Sequence, residues 1–212
     1  FASLEMTAGE VADRMLSNMS SLPYADIRRG SLHPADCPAL TDAGKRLADL
    51  PLTIEDRCVT INDLTMRARR IRGLQVLVVD YLQLLHGASE RRQASRNAEI
   101  EEISRRLKRF AVDAGVIVIA LSQLNREVEA RADGRPRLSD LRDSGAIEQD
   151  ADSVILLWQA RELSADKGLI GCELAKNRQG ATTALALDFT KTMHLWREST
   201  EALRQRGDAA RL

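Results

Sequence analysis

Residues 75–85, QVLVVDYLQLL, restrict the fold of this chain more than any other stretch. Val76, Leu77, Val78 and Val79 leave no polar face, which is the pattern of a strand covered on both sides in a parallel sheet. Asp80 then places a charge where that strand leaves the sheet. In open α/β sheets, ligands bind beyond the carboxyl ends of the strands. Two readings of Asp80 stay open at this level. It caps a turn, or it holds a Mg²⁺ ion, directly or through water, beside a nucleotide phosphate.

The rest of the chain supplies partners for that strand. Thr7 and Glu10 form a capping box that predicts a helix to about Ser20, with Val11, Met15, Leu16 and Met19 as its apolar stripe. Residues 24–30 predict a short helix closed by Gly30, and a third helix starts near 34 or 41 and runs to 50. A short strand is expected at 52–56 and a helix at 60–72, ended by Gly73. After the polar stretch 86–96 come a long helix at 97–114 and a buried strand at 116–121. Residues 125–136 are polar, and strands are expected at 153–158, 170–175, 184–189 and 193–196. Strand and helix alternate through 158, which predicts a parallel sheet with helices on both faces. The closing strands follow one another across short turns and predict an antiparallel extension. One α/β domain over 1–197, followed by a charged tail at 198–212, is the economical reading.

Composition narrows the partners. The formal net charge is zero, so nucleic-acid contacts must come from local patches. Three Phe, two Trp and two Tyr leave an aliphatic core and argue against stacking bases on aromatic platforms. Cys37, Cys58 and Cys172 form no CxxC pair, which points to reduced thiols in a cytosolic (cytoplasmic) compartment. His33, His86 and His194 show no metal-ligand spacing. No apolar run approaches the roughly 20 residues of a membrane span, and no signal peptide is visible.

Three strand ends carry polar groups: Glu5 after residues 1–4, which read as the end of a strand, Asp80 after the strand of Val76–Val79, and Ser122-Gln123 after the strand at 116–121. Neighbouring parallel strands would bring them to one rim. A metal-holding Asp, a Glu that orients or deprotonates water and a Gln that senses a phosphate would together form an ATP-hydrolysing site.

SLEM at 3–6, VVDYLQL at 78–84, SQLNR at 122–126, LSDLRDSGAIEQDAD at 138–152 and AKNRQG at 175–180 carry a resemblance. The chain resembles the replicative DNA helicases of bacteria and their phages, the DnaB family, over about residues 1–197. The resemblance implies a RecA-like P-loop NTPase fold and ATP-dependent unwinding of duplex DNA at the replication fork, by a homo-hexamer moving 5′ to 3′. It implies ATP and Mg²⁺ as ligands, single-stranded DNA as a partner, and primase and a helicase loader as further ones, with no membrane contact. Glu5 matches the glutamate that activates the attacking water. Asp80 matches the Walker B aspartate, and Gln123 the glutamine that couples nucleotide state to the DNA loops. Lys176 and Arg178 match the basic pair that reaches the neighbouring subunit's site; a solvated hairpin turn would also account for their residue types. Arg126, Arg142, Asp143 and Gly145 fall in the DNA-facing segments, with Asp143 standing where the family usually has glutamate. A capped helical turn is the other reading of 144–150. The basic residues Arg91, Arg92 and Arg96 could help face the channel, whereas Arg105, Arg106, Lys108 and Arg109 read as a solvated helix face.

No GxxxxGK[ST] is present: Gly44-Lys45 is followed by Arg46 and preceded by Ala39 at the required glycine. The first core strand and its phosphate cradle are therefore missing from these 212 residues. The chain is expected to begin inside a domain, as part of a longer helicase, and to hydrolyse ATP poorly alone. The alternatives are a non-catalytic RecA-like DNA-binding or assembly module, and another RecA-like ATPase such as a recombinase.

Overall fold

The structure is a computed structural model that describes residues 1–87, 95–131, 133–201 and 203, and only the backbone of 142–144. In chain order the elements are β1 (Ala2–Ser3), α1 (Ala8–Ser20), α2 (Tyr24–Arg29), α3 (Cys37–Ala48), α4 (Ile61–Arg70), β2 (Val76–Asp80), α5 (Arg96–Ala114), β3 (Ile117–Ala120), α6 (Gly145–Asp150), β4 (Ser153–Glu162), β5 (Lys167–Asn177), β6 (Thr183–Thr190) and β7 (Leu195–Glu198). The chain divides into two units.

The first unit comprises Phe1–Ala8, Leu52–Asn125 and Leu138–Asp152. Its sheet has the order β1-β2-β3, all parallel. Ala2 pairs with Val79 and Ser3 with Asp80, while Val76 to Val79 pair with Ile117 to Ala120. Local signals set the helices. The Thr60 side chain accepts a bond from the Asp63 N–H at the start of α4. Ser95 does the same for Ala98 at α5, which Gly115 closes in the left-handed region at φ 65°. Ile61, Leu64 and Ala68 of α4, Ile103, Leu107 and Phe110 of α5, and Leu77 and Val79 of β2 form one core, with Phe110 its only aromatic among the described residues.

The sequence predicts β2 covered on both sides, and the structure corrects this. Leu77 and Val79 are buried, but Val76 is 41% exposed. Ile117 and Ile119 of β3, which share the Val76 face by register, are also exposed. The reason is one-sided packing: α4 and α5 both contribute to the core around Leu77 and Val79. Residues 52–56 form no strand. They meet β1 through one parallel bridge, Ala2 with Glu55, with bonds of 2.9 Å from Ser3 N to Glu55 O and 2.8 Å from Glu55 N to Phe1 O. Burial, with Glu55 and Asp63 nearby, pushes the Cys58 thiol up to about 11, so it is a poor nucleophile near neutrality. Cys37 and Cys172 are free thiols as well.

The second unit comprises Gly9–Pro51, Arg126–Arg137 and Ser153–Leu212. Its sheet has the order β4-β5-β6-β7, all antiparallel. β4 therefore belongs with the closing strands, because the short turn after Glu162 leads straight into its antiparallel partner β5. The Tyr24 N–H donates to Thr192 O at 2.8 Å and the Asn18 side chain to His194 O at 2.8 Å, which fixes α1 and α2 to the β6–β7 turn. His194 lies edge-on to Tyr24, its pKa lowered by burial and by Arg14, in a structural role.

One cross-strand contact in this unit demands glycine. Gly171 pairs with Trp158, and a β-carbon on Gly171 would lie 2.2 Å from the indole. Trp158 is held in turn by Arg135, whose guanidinium lies 5.0 Å from the ring centroid and pairs with Glu173 at 3.2 Å. Gly171→Ala is expected to lower the unfolding free energy by about 1–3 kcal/mol or more through overpacking, read as a lower urea midpoint by circular dichroism. Among the described residues no helix is long and apolar enough to cross a membrane.

Candidate active site

β1, β2 and β3 end on the same side of the first unit's sheet, and three polar residues follow those ends. Asp80 closes β2. Glu5 comes two residues after Ser3, whose register partner is Asp80. The buried Ser3 hydroxyl donates to Met6 O at 2.6 Å and accepts from Met6 N at 3.2 Å, which builds the turn that presents an exposed Glu5. Leu4 N donates to Asp80 O at 2.8 Å, so this turn is tied to the end of β2. The Asp80–Tyr81 peptide is cis.

Beyond β3, Leu121 N donates to Val79 O and Leu82 N to Leu121 O, each at 2.9 Å. A side chain continues this pairing past the end of the strand. The Gln83 Nε2 donates to Ser122 Oγ at 2.9 Å and to Gln123 O at 3.4 Å, and Gln83 Oε1 accepts from Gln123 N at 3.2 Å. Gln123 itself is exposed. Arg96 holds the Gln83 segment, donating from Nη2 to Gln83 O at 2.7 Å and Leu85 O at 3.0 Å, and pairs with Glu99. Burial pushes the Glu99 carboxyl up, but the Gly87 N–H, Arg96 and His86 outweigh it and hold it below its ordinary value. Sequence reasoning missed Gln83, and it read Arg96 as a channel-facing cation, whereas its guanidinium is engaged by Gln83 O, Leu85 O and Glu99. The only signal was a glutamine inside an otherwise apolar run.

The segment 138–152 is a 3-10 run, Leu138–Ser144, leading into α6. Ser104 of α5 donates to Asp150 at 2.7 Å and Lys108 pairs with Asp152 at 2.5 Å, so two of the motif's carboxylates anchor α6 on α5. Among the described residues nothing lies where a β-carbon on Gly145 would stand, so none of them demands glycine there. The side chains of Arg142 and Asp143 lie outside the described residues, as do Arg91 and Arg92. On α5, Arg105 pairs with Glu101, Arg106 with Glu102 and Arg109 with Asp113, each at i,i+4 spacing, which makes this a solvated, paired face.

In the second unit, Lys176 lies at the end of β5 opposite Val154, and Arg178 is exposed in the β5–β6 turn. Asn177 shapes that turn: its Oδ1 accepts from Gln179 N at 3.2 Å and its Nδ2 donates to Ala181 O at 3.2 Å. Arg126 opens a short 3-10 turn, Arg126–Val128, and is exposed.

The donor set suits a nucleotide-bound Mg²⁺, which keeps waters, takes phosphate oxygens and needs only one or two protein carboxylates. Among the described residues no three or more His, Cys, Asp or Glu gather into an all-protein metal site.

The parallel sheet and the antiparallel sheet of this chain match the fold of solved replicative-helicase and ATPase domains, which places the chain in the RecA-like fold class. The profile of the DnaB-like helicase C terminal domain matches residues 1–198, and the chain belongs to that family. It is 41% identical over 196 residues to the replicative DNA helicase DnaB of Leifsonia xyli, covering 89% of this chain and 42% of that protein. It is likewise 41% identical over 196 residues to the replicative DNA helicase DnaB of Geobacillus stearothermophilus, covering 89% and 43%. The chain thus spans under half the length of these relatives. Among solved structures, a DnaB-like replicative helicase studied with its interactions with primase superposes with a TM-score of 0.84 at 33% identity, covering 92% of this chain and 49% of that one. A solved ATPase domain superposes with a TM-score of 0.86, also at 33% identity, covering 93% and 73%.

Proposed function

We propose that this chain is the motor portion of an ATP-driven replicative DNA helicase, and that residues 1–197 work as one motor domain. The observation that carries the reading is the rim itself: Glu5, Asp80 and Gln123 follow the ends of three adjacent parallel strands. Membership of the DnaB-like family, matched across residues 1–198, supports it.

In this reading Glu5 orients and deprotonates the water that attacks the γ-phosphate, from a turn fixed by Ser3. Asp80 is the residue that would hold Mg²⁺, whose charge neutralises the phosphate oxygens. Gln123 reads the γ-phosphate and passes its state to the segments that follow, towards Arg126 and the run Leu138–Ser144. Lys176 at the end of β5 and Arg178 in the β5–β6 turn serve the site of the next copy in a homo-hexameric ring. Arg126 and Arg142 pair with DNA phosphates; Asp143 and Gly145 complete that segment, where Gly145 keeps the backbone approachable. Primase and a helicase loader are further partners in this reading, and the compartment is cytoplasmic. The 212 residues contain no P-loop to cradle the β- and γ-phosphates, so the chain by itself hydrolyses ATP poorly.

The experiment is strand displacement by the intact protein on a forked duplex with a free 5′ tail. ATP-dependent displacement is expected, and none with a non-hydrolysable analogue. Tight single-stranded DNA binding with no hydrolysis would instead identify a non-catalytic DNA-binding module.

A further inference from the structure

Gln83 has no role in the machinery described so far, yet its side chain is the link between the end of β3 and the turn that follows Asp80. The sheet ladder stops with the bonds at Leu121. From Ser122 onward, the Gln83 carboxamide takes over with three contacts: to Ser122 Oγ, Gln123 O and Gln123 N. A carboxamide suits this task because it offers an acceptor and donors in one plane, whereas a carboxylate would only accept.

The anchor is firm. Leu82 and Leu85, on either side of Gln83, are 2% and 0% exposed, and Arg96 binds the carbonyls of Gln83 and Leu85. Gln83 also lies three residues after Asp80 in the same turn. A shift at the Asp80 end of β2 is therefore transmitted to the backbone of Gln123 through one short segment, which the buried Leu82 and Leu85 anchor.

We propose that Gln83 is the positioning residue for Gln123: it fixes the Gln123 backbone beyond the end of β3, and with it the direction of the side chain, and links it to the turn of Asp80. This rests on the reading of Gln123 as the residue that couples nucleotide state to DNA.

Two readouts test it, one on the 212-residue chain and one on the intact protein. Gln83→Met keeps the shape and removes all three bonds. Gln83→Glu keeps an acceptor for Gln123 N–H and is expected to fall between wild type and Gln83→Met, which also covers the case of a poorly folded methionine variant. In the chain, amide exchange at Gln123 is expected to quicken by about three- to tenfold in Gln83→Met, while Leu121, bonded within the sheet, is unchanged. In the intact protein, the ratio of DNA-stimulated to unstimulated kcat is expected to fall by about tenfold, with the KM for ATP within about twofold. Unchanged exchange at Gln123 would overturn the proposal. So would faster exchange with an unaltered stimulation ratio, because the contact would then be structural only. A wild-type protein without any DNA stimulation overturns the reading of Gln123 itself, and the exchange result still reports whether Gln83 holds that backbone.

Discussion

Arg178→Ala in the intact protein is expected to lower ATP turnover by about 10³–10⁵-fold, the effect of losing an arginine that stabilises phosphoryl-transfer charge. The side chain is exposed in the β5–β6 turn. Asn177 bonds both Gln179 and Ala181 around it, so the backbone that presents the guanidinium is ordered by its neighbour. The role differs from that of a solvated hairpin arginine in one measurable respect. A finger supplied by a neighbouring copy can be complemented. Mixing Arg178→Ala subunits with Glu5→Gln subunits is expected to restore part of the turnover, since some interfaces then join an intact Glu5 to an intact Arg178. Turnover within a few-fold of wild type in Arg178→Ala would reduce Arg178 to a surface residue.

The second large effect is expected at Glu5. Glu5→Gln keeps size and hydrogen bonding and removes the base, so kcat is expected to fall by about 10²–10⁴-fold. ATP affinity, measured by equilibrium binding, is expected to change little, because in the proposed mechanism Glu5 acts on the water and not on the phosphates. Ser3 gives the local explanation for its placement. Both bonds of the Ser3 hydroxyl go to Met6, closing a turn with Glu5 between them. A Glu5→Gln protein that still turns over ATP at near wild-type rate would show that another group activates the water.

Features with local causes were legible in the sequence. The helix that starts at Thr60 and the one that Gly30 closes were readable because capping depends on residues a few positions away. The placement of Glu5, Asp80 and Gln123 at one rim followed from three strand ends and the rule that alternating strands and helices give parallel neighbours. What could not be read depends on contacts between distant segments. Gln83 finds Ser122 and Gln123 only once the register of β2 against β3 is set. The glycine requirement at Gly171 exists because Trp158 faces it across β4 and β5. The exposure of Val76 reflects which face α4 and α5 cover, and a strand of four aliphatic residues carries no sign of that. Asp150 and Asp152 lie in the run 138–152, and only the fold shows that they bond Ser104 and Lys108 of α5.

The most direct test of the central claim is the steady-state rate of ATP hydrolysis by the intact protein, with and without single-stranded DNA, in wild type and in Asp80→Asn. The expected result is turnover that rises with DNA in wild type and is lost in both conditions in Asp80→Asn, with the variant still folded by circular dichroism. DNA-stimulated hydrolysis that survives Asp80→Asn would contradict the assignment of this rim as the ATP site.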